Sequence, residues 1–159
     1  FTNYKLSDKA KSYITTSRYY LGGYNTSNVK TTAMYNYERG TLRYKTDKPL
    51  YWDGMVGLMY PSDYGYAAGN TCVNGTKLYD YDGGCMNKDW LYISKTYQWL
   101  MSPNSGNSNI AFFVFSGGYV RYDGYSVDDA RSASPVFYLN SSTSITDGTG
   151  TSSDPYIVK

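Results

Sequence analysis

AFFVFSGGYVRY, residues 111–122, is the clearest strand signal in the chain, and its neighbours are best read outward from it. Alternate side chains of a strand face opposite ways. Val114, Ser116, Gly118 and Val120 therefore form one row of small or apolar groups suited to packing. Phe113, Phe115, Gly117, Tyr119 and Arg121 form the other. Gly117 and Gly118 divide the stretch into two strands or a hairpin. The second row mixes rings, glycine and arginine, which is odd for a core and common at a contact surface. Tyr122, Asp123, Tyr125 and Asp128 continue it into a loop. The candidate ligand-binding residues are thus Phe113, Phe115, Tyr119, Arg121, Tyr122, Asp123, Tyr125 and Asp128. The competing expectation is that Phe113 and Phe115 are core and only the loop is displayed.

Upstream, residues 7–21 read as an amphipathic helix, with Ser7 as N-cap and Asp8 in the first turn. Ala10, Tyr13, Ile14, Ser17 and Leu21 share one face, and Gly22-Gly23 ends it. A second helix over residues 29–38 turns Val29, Ala33, Met34 and Tyr37 inward, with Gly40 as the stop. Met55–Tyr60 reads as a short buried strand cut by Pro61. SDYGYAAGN (62–70), NGTKLYDYDGG (74–84) and SPNSGNSN (102–109) read as loops by their Gly, Asn and Asp content. Trp90 and Trp99 are expected to be core aromatics that fix the long loops. PVFYL (135–139) reads as a buried strand, and a turn through Asp147-Gly148 and Gly150 leads to a closing strand at Pro155–Val158. Helices first, then a small sheet and long loops, predict an α+β fold. The 159 residues fit one domain, helical over 1–40 and built of sheet and loops over 41–159.

Composition narrows the function. Charged residues are 18% of the chain, the net charge is +2, and Lys and Arg are scattered, so no nucleic-acid partner is expected. Apolar runs are too short to span a membrane. Tyr occurs 21 times against 5 Phe and 3 Trp. That ratio suits either half-wet strands or a binding surface, where rigid amphipathic rings give contact area at low entropic cost. The absence of histidine removes Ser-His-Asp and Cys-His catalysis and most zinc sites, and no cofactor is expected. Cys72 and Cys85 are too far apart for a CxxC motif and too few for structural zinc. A disulfide closing TCVNGTKLYDYDGGC (71–85) is expected, implying an oxidising compartment; two buried thiols are the alternative. Asp63, Asp80, Asp82 and the Asp128-Asp129 pair could offer oxygens to calcium, but none has EF-hand spacing, and solvated loop carboxylates are the expectation. The chain opens on Phe1, as expected of a mature product or a trimmed piece.

Several blocks carry a resemblance: YYLGGYN (19–25), MYNYERGT (34–41), VGLMYPSDYGYA (56–67), the cysteine loop, KDWLY (88–92), QWLMSP (98–103), SGGYV (116–120), SPVFYL (134–139) and TDGTGTSSDPYIV (146–158). Together they resemble pilin-like surface proteins of gut Firmicutes. They also resemble the C-type-lectin-type fold shared by formylglycine-generating-enzyme-like domains and the variable proteins of diversity-generating retroelements. The resemblance implies a C-type-lectin-like fold with two N-terminal helices, a small irregular mixed or antiparallel sheet, and a diversified ligand-binding face near the C-terminus. Ser134-Pro135 stands where the family reads Arg-Pro, leaving Arg131 as the substitute arginine. Both cysteines lie mid-chain, away from the family's reactive C-terminal pair, so that enzymatic activity does not carry over.

The leading expectation is a surface-displayed, extracellular adhesin or receptor domain, not an enzyme, with a protein or glycan ligand on a host, bacterial or phage surface. A structural pilin-like subunit that contacts other pilin subunits is the second. A glycoside-active enzyme is the third, and it would need two close, shielded carboxylates in a concave pocket.

Overall fold

The computed structural model describes residues 6–39, 51–151 and 153–159. Ser7 caps α1 (Asp8–Tyr13), its Oγ accepting from Ala10 N at 3.1 Å. The β-branched run Ile14-Thr15-Thr16 is restricted at χ1 against a preceding helical turn. There the backbone becomes extended, forming β1 (Ile14–Thr15) and β2 (Ser17–Tyr20). The helix expected over 7–21 therefore closes at Tyr13, and its second half is strand. β2 pairs antiparallel with β3 (Tyr51–Gly54), which sequence patterning did not place.

α2 (Thr31–Glu38) lies inside the expected second helix and buries Met34; the Gly40 stop falls outside the described residues. β4 (Gly57–Leu58) occupies the centre of the expected Met55–Tyr60 strand. Pro61 then opens α3 (Pro61–Ala67) where a loop was expected. Proline suits a helix's first position, and Asp63 Oδ2 closes the turn by accepting from Tyr60 N at 3.0 Å. α4 (Asn70–Gly75), a 3₁₀ turn at Leu78–Asp80 and α5 (Gly83–Met86) follow. The Cys72–Cys85 disulfide joins α4 to α5, with Cα atoms 5.8 Å apart. Such a bond fits an oxidising compartment. Among the described residues no helix is long and apolar enough to cross a membrane.

The main sheet is built from β5 (Gln98–Pro103), β6 (Ala111–Val114), β7 (Val120–Arg121) and β8 (Ser132–Ala133), in the order β7-β6-β5-β8. β6 and β7 form an antiparallel hairpin, and β8 runs parallel to β5. PVFYL is not one buried strand. It divides into β9 (Pro135–Val136), paired with β4, and β10 (Tyr138–Leu139), paired with β1, leaving Phe137, Tyr138 and Leu139 exposed. β11 (Ile145–Asp147) pairs with β12 (Ile157–Val158) across the glycine-bearing turn. The fold is α+β, with small, mainly antiparallel sheets.

The core lies between the helices and one face of the main sheet. Leu100, Phe112, Val114 and Val120 pack there against Met34, Met59, Tyr64, Leu78, Tyr81 and the disulfide. Trp90, expected inside, is 78% exposed. The buried member of KDWLY is Asp89, whose Oδ1 accepts from Leu91 N at 2.9 Å and so turns the intervening indole outward. Among the described residues Glu38 and Asp89 are buried carboxyls. Burial pushes Glu38 up to about 8, although Ser62 N donates to it, and pushes Asp89 up to about 7.

Candidate functional site

Strand alternation gives the main sheet a second face. Phe113 stands opposite Trp99 on β5 and Arg121 on β7, so the three side chains share the side away from the helices. Ring centroids of Tyr97, Trp99 and Tyr125 lie 6.4, 5.7 and 5.2 Å from that of Phe113. Beneath them Phe113 is fully buried. This corrects its assignment as a displayed residue: it belongs to the predicted row but is the floor on which the exposed rings rest.

Around that floor the aromatic layer is continuous. Phe115 stacks on Tyr119 at 4.8 Å and meets Tyr97 edge-on at 4.9 Å; Tyr119 approaches Tyr79 at 6.0 Å. Two guanidinium groups complete it, in the geometry that favours an arginine over a ring. Arg131 lies 4.2 Å from the Tyr125 centroid and 4.9 Å from that of Tyr97; Arg121 lies 5.7 Å from Tyr79 and 5.9 Å from Phe115. Arg121 Nε donates to Asp123 Oδ1 at 2.8 Å, and Arg131 Nη2 is 3.8 Å from Asp129 Oδ2. The hydrogen bond to Asp123 holds Arg121 further above its ordinary pKa, and the neighbouring Tyr97 hydroxyl raises Tyr125. Near neutral pH the face therefore carries a fixed Arg121 cation and a neutral Tyr125 phenol.

The supports are underneath. Gly118 N donates to Phe115 O, and Phe115 N to Tyr119 O, both at 2.8 Å, which closes the β6–β7 turn. Tyr64 Oη donates to Gly118 O at 2.6 Å and Tyr92 Oη to Ser116 O, so two ring hydroxyls tie the turn to the interior. The loop after β7 is tied as well: Trp99 Nε1 donates to Asp129 O, Val127 N to Asn109 O, and Ser126 N to Asp129 Oδ2.

Of the remaining candidates, Phe115, Tyr119, Arg121, Asp123 and Tyr125 are half-buried members of this face. Tyr122 leans the other way, its ring 6.2 Å from Phe112 of the core. Asp128 is exposed on the loop, accepting from Ser126 Oγ, and makes no ring contact. Sequence reasoning missed Tyr79 and Tyr97 and did not assign Trp99 or Arg131 to the face. Alternation in YQWLM links Tyr97 with Trp99 but does not say which side they take; Tyr79 arrives through a tertiary contact with no local signal.

Elsewhere, a cavity of about 420 Å³ is lined by Met59, Asp63, Tyr66, Ala67, Trp90, Leu91 and Val136, and one of about 290 Å³ by Asn28, Tyr79, Asp80 and Tyr122. Each holds a single carboxylate. Asp63 is paired with Arg39 at 2.6 Å, and Asp82 caps α5 by accepting from Gly84 N. Among the described residues no group of three or more Asp, Glu or Cys side chains could hold a metal ion. No family model, curated protein or solved structure matches the chain.

Proposed function

We propose that this chain is the ligand-binding domain of a surface-displayed bacterial adhesin or receptor, with a C-type-lectin-like arrangement in which the sheet face around Tyr97, Phe115, Tyr119, Arg121, Tyr125 and Arg131 contacts the partner. One observation carries the reading: a continuous layer of rings and guanidinium groups lies on the solvent side of a sheet whose opposite side already has a core. Tyr and Arg are the residues that dominate binding energy at protein contacts, and aromatic faces also stack on sugar rings. The disulfide-tied helices and the two tyrosine hydroxyls under the turn keep that layer ordered before any partner arrives, which reduces the entropy lost on binding.

The test uses the fluorescently labelled chain on glycan arrays and on intact bacterial and epithelial cells. Wild type should bind a subset, and a Tyr119→Ala/Arg121→Ala double variant should lose at least tenfold while melting within about 5 °C of wild type. Binding at wild-type strength by that variant, or no binding to any of these surfaces, rejects the assignment.

A structural role in a filament is the second reading. Exposed Phe137, Leu139, Ile145, Tyr156 and Ile157 favour it, beside an apolar groove of about 360 Å³ that includes Tyr13, Ile14 and Val158. Concentration-dependent association in sedimentation velocity, abolished by Phe137→Ser, would support it.

A further inference from the structure

We propose that the recess between Tyr79 and Tyr122 binds one neutral sugar ring at the margin of the aromatic face. The inference rests on the recognition-face reading and gives the ligand chemistry of one part of it. Three distant segments converge there, bringing Asn28, Tyr79, Asp80 and Tyr122 around a cavity of about 290 Å³. That is near the lower end of small-ligand sites, roughly 300–1,000 Å³, and suits a single ring.

The frame of the recess is rigid. Tyr79 N donates to Ser27 O at 3.0 Å and Leu78 N to Val29 O at 2.9 Å, lacing the two segments together. Ser27 is buried, and its Oγ donates to Val120 O of β7 at 2.7 Å. Asn104 Nδ2 donates to Tyr122 O at 3.0 Å, which fixes the third wall. Against this frame the Asn28 amide, the Asp80 carboxylate and the Tyr79 and Tyr122 hydroxyls enter no hydrogen bond or ion pair with the described residues. Ordered backbone beneath unengaged polar tips is the arrangement of a preorganised binding site.

The chemistry selects the ligand. Asp80 has no cationic partner, so a phosphate, sulfate or carboxylate would meet like charge. The Arg121 guanidinium, 5.7 Å from the Tyr79 centroid, already occupies the cation position beside that ring, which leaves an ammonium group only the Asp80 carboxylate to engage. A wholly apolar ligand would strip water from four polar groups and give nothing back. A pyranose engages all of them. Its C–H face lies on a tyrosine ring, its hydroxyls donate to Asp80, and its oxygens accept from the Asn28 amide and the phenols.

Saturation-transfer-difference NMR on the whole chain tests this with the methyl glycosides of glucose, galactose, mannose and N-acetylglucosamine, and with tetramethylammonium as a cationic competitor. At least one glycoside should saturate with a millimolar dissociation constant. Asn28→Ala and Asp80→Ala, both at exposed positions, should each weaken it tenfold or more while melting within about 2 °C of wild type. The proposal is overturned if no glycoside saturates, if saturation survives in both variants, or if tetramethylammonium displaces the glycosides. Should that happen while Arg121-dependent binding to cells or arrays persists, only the sugar assignment fails; if both signals are absent, the recognition reading fails with it.

Discussion

Replacing Gly118 by alanine adds one methyl group at the foot of the β6–β7 turn. Gly118 has φ of +87°, in the left-handed region, where an L-side chain costs roughly 1–2 kcal/mol. A Cβ placed there lies 2.3 Å from Met86 Cγ, 2.5 Å from Met86 Cβ and 2.7 Å from Met86 Sδ. Contacts that short force either α5 or the turn to move, and overpacking of this kind costs roughly 1–3 kcal/mol. The two effects act on different atoms, so about 2–5 kcal/mol is expected. At about 2–4 °C per kcal/mol for a chain of this length, the melting point should fall by about 4–20 °C. Thermal unfolding followed by circular dichroism, with the disulfide intact, measures it. Met86→Ala in the Gly118→Ala background should return only the share owed to Cγ and Sδ, roughly 1 kcal/mol, because the Cβ contact and the backbone strain remain. A Gly118→Ala protein melting within 2 °C of wild type would refute the reasoning, and full recovery by Met86→Ala would refute the part assigned to φ.

Asp89 and Glu38 are both raised by burial, so between the ordinary carboxylate range and about pH 7 to 8 the folded chain binds more protons than the unfolded one. The stability they contribute is fully present below about pH 4 and is lost as pH rises through about 7 for Asp89 and about 8 for Glu38. Urea midpoints should accordingly be higher at pH 5 than at pH 8, and Asp89→Asn should flatten the slope; a midpoint that rises with pH contradicts this. Opening the Cys72–Cys85 loop with a Cys→Ala pair should cost about 3 kcal/mol in urea unfolding. Trp90→Ala should change stability by less than about 0.5 kcal/mol, since the indole is 78% exposed, and should remove the emission most accessible to acrylamide.

What the sequence disclosed was the local part of this design. Alternation in AFFVFSGGYVRY correctly put Val114 and Val120 on one side and Phe113 and Arg121 on the other, because a strand's period is a property of its own backbone. Alternation cannot report how many layers cover a face, so Phe113 read as displayed although Tyr97, Trp99 and Tyr125 close over it. The end of α1 is written in Ile14-Thr15-Thr16, whose β-branched side chains disfavour helix, whereas the apolar positions at helical spacing extended the expected helix to Leu21. Asp, Gly and Asn in 62–70 and 74–84 signalled loops, yet three short helices overlap those stretches, each stabilised by caps, core burial or the disulfide more than by propensity. Tyr79 and Arg131 joined the face through contacts made by distant segments, which no pattern of spacing encodes.

The pairing of β1 with β10, Ile14 opposite Leu139, has a consequence for how the chain assembles. β4 waits in the same way for β9, with Gly57 opposite Val136. Contacts between such remote positions must close long loops, and topologies dominated by them fold slowly. During synthesis the early strands emerge long before their partners, with their hydrogen-bonding edges open to other chains. The longer the early strands stay unpaired, the more exposed the half-made chain is to association with its neighbours.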